Sequence, residues 1–87
     1  MTVLIDRAIW PAHDTLWAHM VSDTSLDELH EFAASAGLPR RAFDLDHYDV
    51  PARMWCELVE RGAQPVSVRE FVRRLEASGL RVPQRDR

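Results

Sequence analysis

The chain has 87 residues, 46% of them hydrophobic and 29% charged, with a formal net charge of −3. That is enough for one modest core and too little for two, and no apolar run approaches the ~20 residues needed to span a bilayer. The lone cysteine, Cys56, excludes an intramolecular disulfide and a paired-thiol zinc motif.

The opening "MTVLIDRAIWP" carries no basic leader, so no signal peptide is expected and the cytoplasm is the expected compartment. "TVLI" (2–5) is a β-branched apolar run that reads as a buried strand ending at Asp6. "RAIWPAHDT" reads as a loop broken by Pro11. "LWAHMVS" (16–22) sets Trp17, His19 and Val21 against Ala18 and Met20, the alternation of a second strand.

"SLDELHEFAASAG" is the clearest helix, expected over 26–36. Ser25 and Glu28 have the spacing of a capping box, and Leu26, Leu29, Phe32, Ala33 and Ala36 form one apolar stripe. Gly37 is suited to the C-terminal cap. Residues 38–50 read as a long connection, with a short strand expected around 43–48. Pro51 suits the first turn of a second helix over 51–61, with Met54, Trp55, Leu58 and Val59 facing inward and Cys56 as a small core residue. "AQPVS" is a short extended segment. Ser67 and Glu70 repeat the capping-box spacing and open a third helix over 68–78, closed by Gly79.

Together these elements predict an α/β or α+β fold: a three- to four-stranded sheet packed by three helices. Residues 1–80 are expected to form a single compact domain and 81–87 a polar tail. In open α/β sheets, sites lie beyond the carboxyl ends of strands. Here those ends are Asp6, Ser22 with Asp23, and Ser67.

The ordered set "MTVLID", "WAHMVSD", "LDELHEFAASAGL", "HYDV" and "GAQPVS" resembles the bacterial and phage domain-of-unknown-function family 4031 over nearly the whole chain. The resemblance implies a small intracellular protein and supplies no mechanism. Members of that family often carry paired acidic residues after the first strand. Here Asp6 is followed by Arg7, which weakens any two-carboxylate metal site built there.

Chemistry is concentrated in "DLDHYDVP" (44–51). In an extended segment His47 and Asp49 point one way and Tyr48 the other. A His and an Asp two apart can share a divalent ion or form a proton-relay pair. Asp49 has a rival role, because it precedes the second helix and can accept from that helix's free N–H groups. A length argument adds two more histidines. From His19 to Ser22 the strand advances ~10 Å, and from Ser25 to His30 the helix returns ~7.5 Å, which brings His19 and His30 to similar heights.

The expected polar pocket is therefore His19, His30, His47 and Asp49, with Tyr48 or Asp6 at its rim. A divalent metal such as zinc, ligated by His19, His30, His47 and Asp49, is the cofactor it would take. His13 stands apart in the first loop. No nucleophile–base pair and no Gly-rich phosphate loop is present.

Charge is uneven: residues 1–50 carry three Arg against nine acids (−6), and residues 51–87 carry eight Arg against five (+3). "LHEFAASAGLPRRAF" has helix-turn-helix spacing, but the would-be recognition helix is acidic and halted by proline, so nucleic-acid binding is disfavoured. Three Trp, three Phe and three Met in so short a chain lead to the expectation of a homodimer. Three readings stay open. They are a binding or structural module with an architectural polar pocket, a metal-dependent hydrolase or nuclease-like enzyme using that pocket, and a nucleic-acid accessory protein using the C-terminal arginines.

Overall fold

A computed structural model describes residues 2–82. It contains six strands, β1 (Val3–Ile5), β2 (Trp10–Ala12), β3 (Thr15–Ser22), β4 (Phe43–Asp44), β5 (His47–Pro51) and β6 (Gln64–Pro65). Three helices accompany them, α1 (Leu26–Ser35), α2 (Trp55–Glu60) and α3 (Val68–Ser78), with 3₁₀ turns at Arg40–Ala42 and Ala52–Met54. All six strands form one mixed sheet in the order β4-β5-β3-β1-β6, with β2 also pairing β3. Only the β1–β6 pair is parallel. The fold is α+β, as expected, with more strands than the three or four expected.

The extra strands come from segments whose composition disguised them. β2 contains Pro11 yet pairs β3 through Trp10↔Trp17 and Ala12↔Thr15. It has no second neighbour among the described residues, and an edge strand tolerates proline. β1 and β2 lie on the same side of β3, and the chain leaves the ladder between them over residues 6–9. β5 runs through Pro51, which pairs Trp17. Pro51 therefore ends a strand and does not open a helix: a 3₁₀ turn follows, and α2 starts only at Trp55, with no side-chain cap.

The sheet has two apolar faces. Ala18, Met20, Tyr48 and Val50 are buried with Ile5 against Leu29 and Ala33 of α1 and Leu58 of α2. On the opposite face Leu4 and Val21 pack against Phe71 and Leu75 of α3. Fully burying a Val, Leu, Ile, Phe or Met side chain contributes about 1.5–3 kcal/mol before entropy is counted. Cys56 falls on the outer side of α2 and is exposed; the inward positions are Leu58, fully buried, and the half-buried Met54, Trp55 and Val59.

The helix starts use half of the expected capping box. Ser25 Oγ accepts from the Glu28 N–H. The Glu28 carboxylate does not return to Ser25; it accepts from Ser22 Oγ, which in turn accepts from the Thr24 and Ser25 N–H groups. At α3 the Ser67 hydroxyl accepts from the Glu70 N–H, while the Glu70 carboxylate pairs with Arg73. Gly79 closes α3 in the left-handed region, φ 80°, where a glycine is unstrained.

Candidate functional site

β3 and β5 pair with His19 opposite Asp49. Directly opposed residues share a face, so Trp17, His19, His47, Asp49 and Pro51 all stand on the α3 side of the sheet. The break between β1 and β2 supplies the next group. Where β1 stops, Asp6 turns its carboxylate back toward β3, and Oδ1 accepts the His19 backbone N–H at 2.6 Å. A side chain thus stands in for the backbone acceptor that an unbroken strand would provide. Such irregularities re-aim side chains next to functional sites.

Two Asp–His pairs result. Asp6 Oδ2 lies 3.0 Å from His19 Nδ1, and Asp46 Oδ1 lies 2.7 Å from His47 Nδ1. Both aspartates are almost fully buried, at 2% and 1% exposure, and both are tied down further. Asp6 accepts a long bond from Trp10 Nε1, and Asp46 Oδ2 accepts the Val82 N–H at 2.8 Å. With each Nδ1 engaged, both Nε2 atoms approach one carboxylate oxygen. Asp49 Oδ1 lies 3.2 Å from His47 Nε2 and 4.0 Å from His19 Nε2. The two rings meet edge to face with centroids 5.0 Å apart. One ligand atom from each of His19, His47 and Asp49 lies within 4.8 Å of the others. Ligand atoms around tetrahedral zinc lie about 3.3 Å apart, given bonds of about 2.0–2.1 Å, so a small inward rotation of the three side chains would close the set.

Electrostatics favour a cation here. His19 is held above the ordinary imidazole pKa, first by its hydrogen bond to Asp6. The charges of Asp6, Asp49 and Asp46 add to this, and burial opposes it.

His30 and Tyr48 are elsewhere. His30 Nδ1 is 2.8 Å from the Tyr48 hydroxyl and its ring packs on Phe43, on the face covered by α1. α1 lays its apolar stripe on Ala18 and Met20, the face opposite His19. Burial and then the charge of Arg40 lower the His30 pKa, against a smaller pull from Asp27. Burial raises that of Tyr48.

Asp49 is not a helix cap, since β5 continues past it. Asp6, expected at the rim, braces His19 from beneath. Asp46 was not anticipated from the sequence, where an aspartate preceding a histidine carries no distinctive spacing. The other strand ends are structural. Ser22 serves the start of α1, Asp23 accepts the Thr2 N–H and pairs with Arg74, and Ser67 caps α3.

Two clefts meet at the cluster. One, of about 450 Å³, is lined by His19, His47 and the α3 residues Val68, Phe71 and Val72. The other, of about 560 Å³, contains Asp49, Trp17, Arg41 and Arg53. Trp10 lines both. Several C-terminal arginines are engaged within the fold, with Arg73, Arg74 and Arg81 against Glu70, Asp23 and Glu76. Among the described residues no helix is long and apolar enough to cross a membrane.

The profile of one family, described as "Protein of unknown function (DUF4031)", matches residues 3–78, and the chain belongs to that family. No curated protein and no solved structure matches it.

Proposed function

We propose that the chain binds one divalent metal ion of the zinc class through His19 Nε2, His47 Nε2 and Asp49, and that it acts as a metal-dependent hydrolytic protein. The observation carrying this reading is the convergence of two carboxylate-braced imidazoles on a third, half-exposed ligand, whose side chain is 45% accessible. Buried carboxylates on Nδ1 fix the tautomer that leaves the Nε2 lone pair free, and this is the usual outer shell of a metal-binding histidine. Three protein ligands leave a coordination position open. That is characteristic of catalytic sites, whereas structural zinc sites are closed by four. Bound there, a metal would supply a Lewis acid and a water acidified toward neutrality. The protein would supply orientation, the adjoining clefts and the charge of Asp49.

The test is elemental analysis of untagged protein, followed by calorimetric titration of metal-stripped protein with zinc. Binding near one equivalent is expected. It should fall at least tenfold in H19A, H47A and D49A and stay unchanged in H30A. Asp6→Asn and Asp46→Asn should weaken it by about 10–100-fold, the range typical of outer-shell partners.

A second reading, an architectural polar network in a binding or structural module, has its own support. Asp6 and Asp46 accept backbone N–H groups from His19 and Val82 as well as imidazoles, as purely structural aspartates would. Absence of metal and of zinc-dependent heat would leave that reading standing. The homodimer expected from composition would use the β2–β3 hairpin, where Ile9, Trp10 and Leu16 are more than 40% exposed. A light-scattering mass of ~10 kDa at high micromolar concentration, the monomer mass, would remove it.

A further inference from the structure

The cleft beside Asp49 has a composition that the metal reading leaves unused. Its lining is largely aromatic and apolar: Trp17, held by a 2.9 Å bond from its Nε1 to the Ala12 carbonyl, with Trp10, Pro39, Pro51 and Met54. Two arginines stand at its rim, Arg41 on the 3₁₀ turn before β4 and Arg53 on the turn after β5. Neither makes an ion pair among the described residues, whereas Arg61, Arg73, Arg74 and Arg81 each have a carboxylate partner. Among the described residues, the only carboxylate lining the cleft is Asp49. With a divalent cation on Asp49 the rim would be strongly positive, over walls suited to a flat apolar ring. A volume of about 560 Å³ lies within the range of small-molecule sites.

We infer that this cleft takes a small phosphate ester of a flat ring, of the nucleoside monophosphate class. The ring lies against Trp10 and Trp17, and the phosphate sits between Arg41, Arg53 and the metal at Asp49. Arginine matches phosphate through paired N–H donors, indoles stack on bases without regard to sequence, and a metal on Asp49 would take a phosphate oxygen in its open position. Trp10, shared by both clefts, would sit between the ring and the histidine side of the site. The inference rests on the metal reading, since without a cation Asp49 would repel the phosphate.

The experiment is titration of the full chain with 5′-AMP, followed by tryptophan emission and calorimetry, with and without one equivalent of zinc. Adenosine serves as the phosphate-free control. Expected are AMP binding strengthened at least fivefold by zinc, a tenfold weaker response to adenosine, and a loss of at least fivefold in R41A/R53A. That double variant changes only exposed side chains and should bind zinc as the parent does. If zinc binds but AMP does not, or if AMP binding ignores zinc or the two arginines, the inference is overturned and the metal reading stands. If zinc itself does not bind, both fall.

Discussion

At the scale of single residues, two histidines on opposite faces of the sheet have opposite electrostatic settings, and this can be measured directly. His19, on β3, is raised by Asp6, and His30, on α1, is lowered by burial and by Arg40. An NMR titration of the imidazole Hε1 resonances should show His19 with a midpoint above about 6.5 and His30 below it. The reverse order would contradict the arrangement of both side chains. The stability consequences have opposite signs. His30, depressed in the folded state, contributes stability that is present above about 6.5 and is lost as pH falls toward its folded pKa. His19, raised in the folded state, contributes stability that is present below about 6.5 and is lost as pH rises through its folded pKa. Adding zinc should move the His19 and His47 resonances and leave His30 in place. Because ligation needs neutral imidazoles, zinc affinity should decline as pH falls, and the decline should begin above 6.5 on account of His19.

At the scale of elements, the two hairpin turns that frame the site hold backbone conformations that their side chains disfavour. His13 and Asp14 both have positive φ, 48° and 63°, in the two-residue loop joining β2 to β3. That geometry favours Asn-Gly. Leu45, at φ 59°, sits in a γ-turn closed by the Asp46 N–H on the Asp44 carbonyl. Left-handed backbone costs an L-residue about 1–2 kcal/mol, and Leu45 is 44% exposed, so little packing offsets it. Asp14→Gly and Leu45→Gly should each raise stability by about 1 kcal/mol in urea melts, or about 4–8 °C in Tm. A loss of stability in both variants would show that these side chains hold contacts outweighing the backbone strain.

The same elements explain what was legible in the sequence. α1 and α3 were readable because each pairs a serine N-cap with an apolar stripe of helical period. β1 and β3 were readable because apolar runs and strict alternation mark them. The strand expected around 43–48 is present as β4 and the start of β5, but the turn that splits it and its run to 51 were obscured, because the proline at 51 mimicked a helix start. The direction shared by His47 and Asp49 followed from alternation alone. The exclusion of His30 needed one more step: an apolar stripe must seek the apolar face of β3, which is Ala18 and Met20, and this turns His19 away from α1. The bracing of His47 by Asp46 depends on the turn at Leu45, which no periodicity reports.

At the scale of the molecule, a metal that binds the folded chain and not the unfolded one adds RT ln(1 + [L]/Kd) to stability, about 2.7 kcal/mol at a hundredfold excess over Kd. For a domain of this size that corresponds to roughly 10–20 °C in Tm. Zinc should produce a rise of that order, reversible by chelator and absent in D49A. An unchanged melt at saturating zinc would count against the site. The two apolar faces make a complementary expectation. Leu4 is fully buried under α3, so Leu4→Ala should cost about 2–5 kcal/mol. It should also loosen the platform on which Phe71 meets the His19 ring, with centroids 6.4 Å apart.

The placement of β1 between β3 and β6 also constrains the order in which a growing chain can complete this fold. Asp6, His19, Asp46, His47 and Asp49 have all left the ribosome once β5 has emerged. At that point β1 still has one open edge, because its parallel partner at Gln64–Pro65 has not yet left the ribosome. The face carrying the histidines is also uncovered, because Phe71 and Leu75 come later still. At roughly 5–20 residues per second, the emerging chain spends on the order of seconds with an unpaired apolar strand beside the strands that carry the proposed ligands. A metal captured in that interval would tie β1, through Asp6 and His19, to β3 and β5 before β6 arrives, and so would act during synthesis as a temporary clasp on the strand most exposed to mispairing.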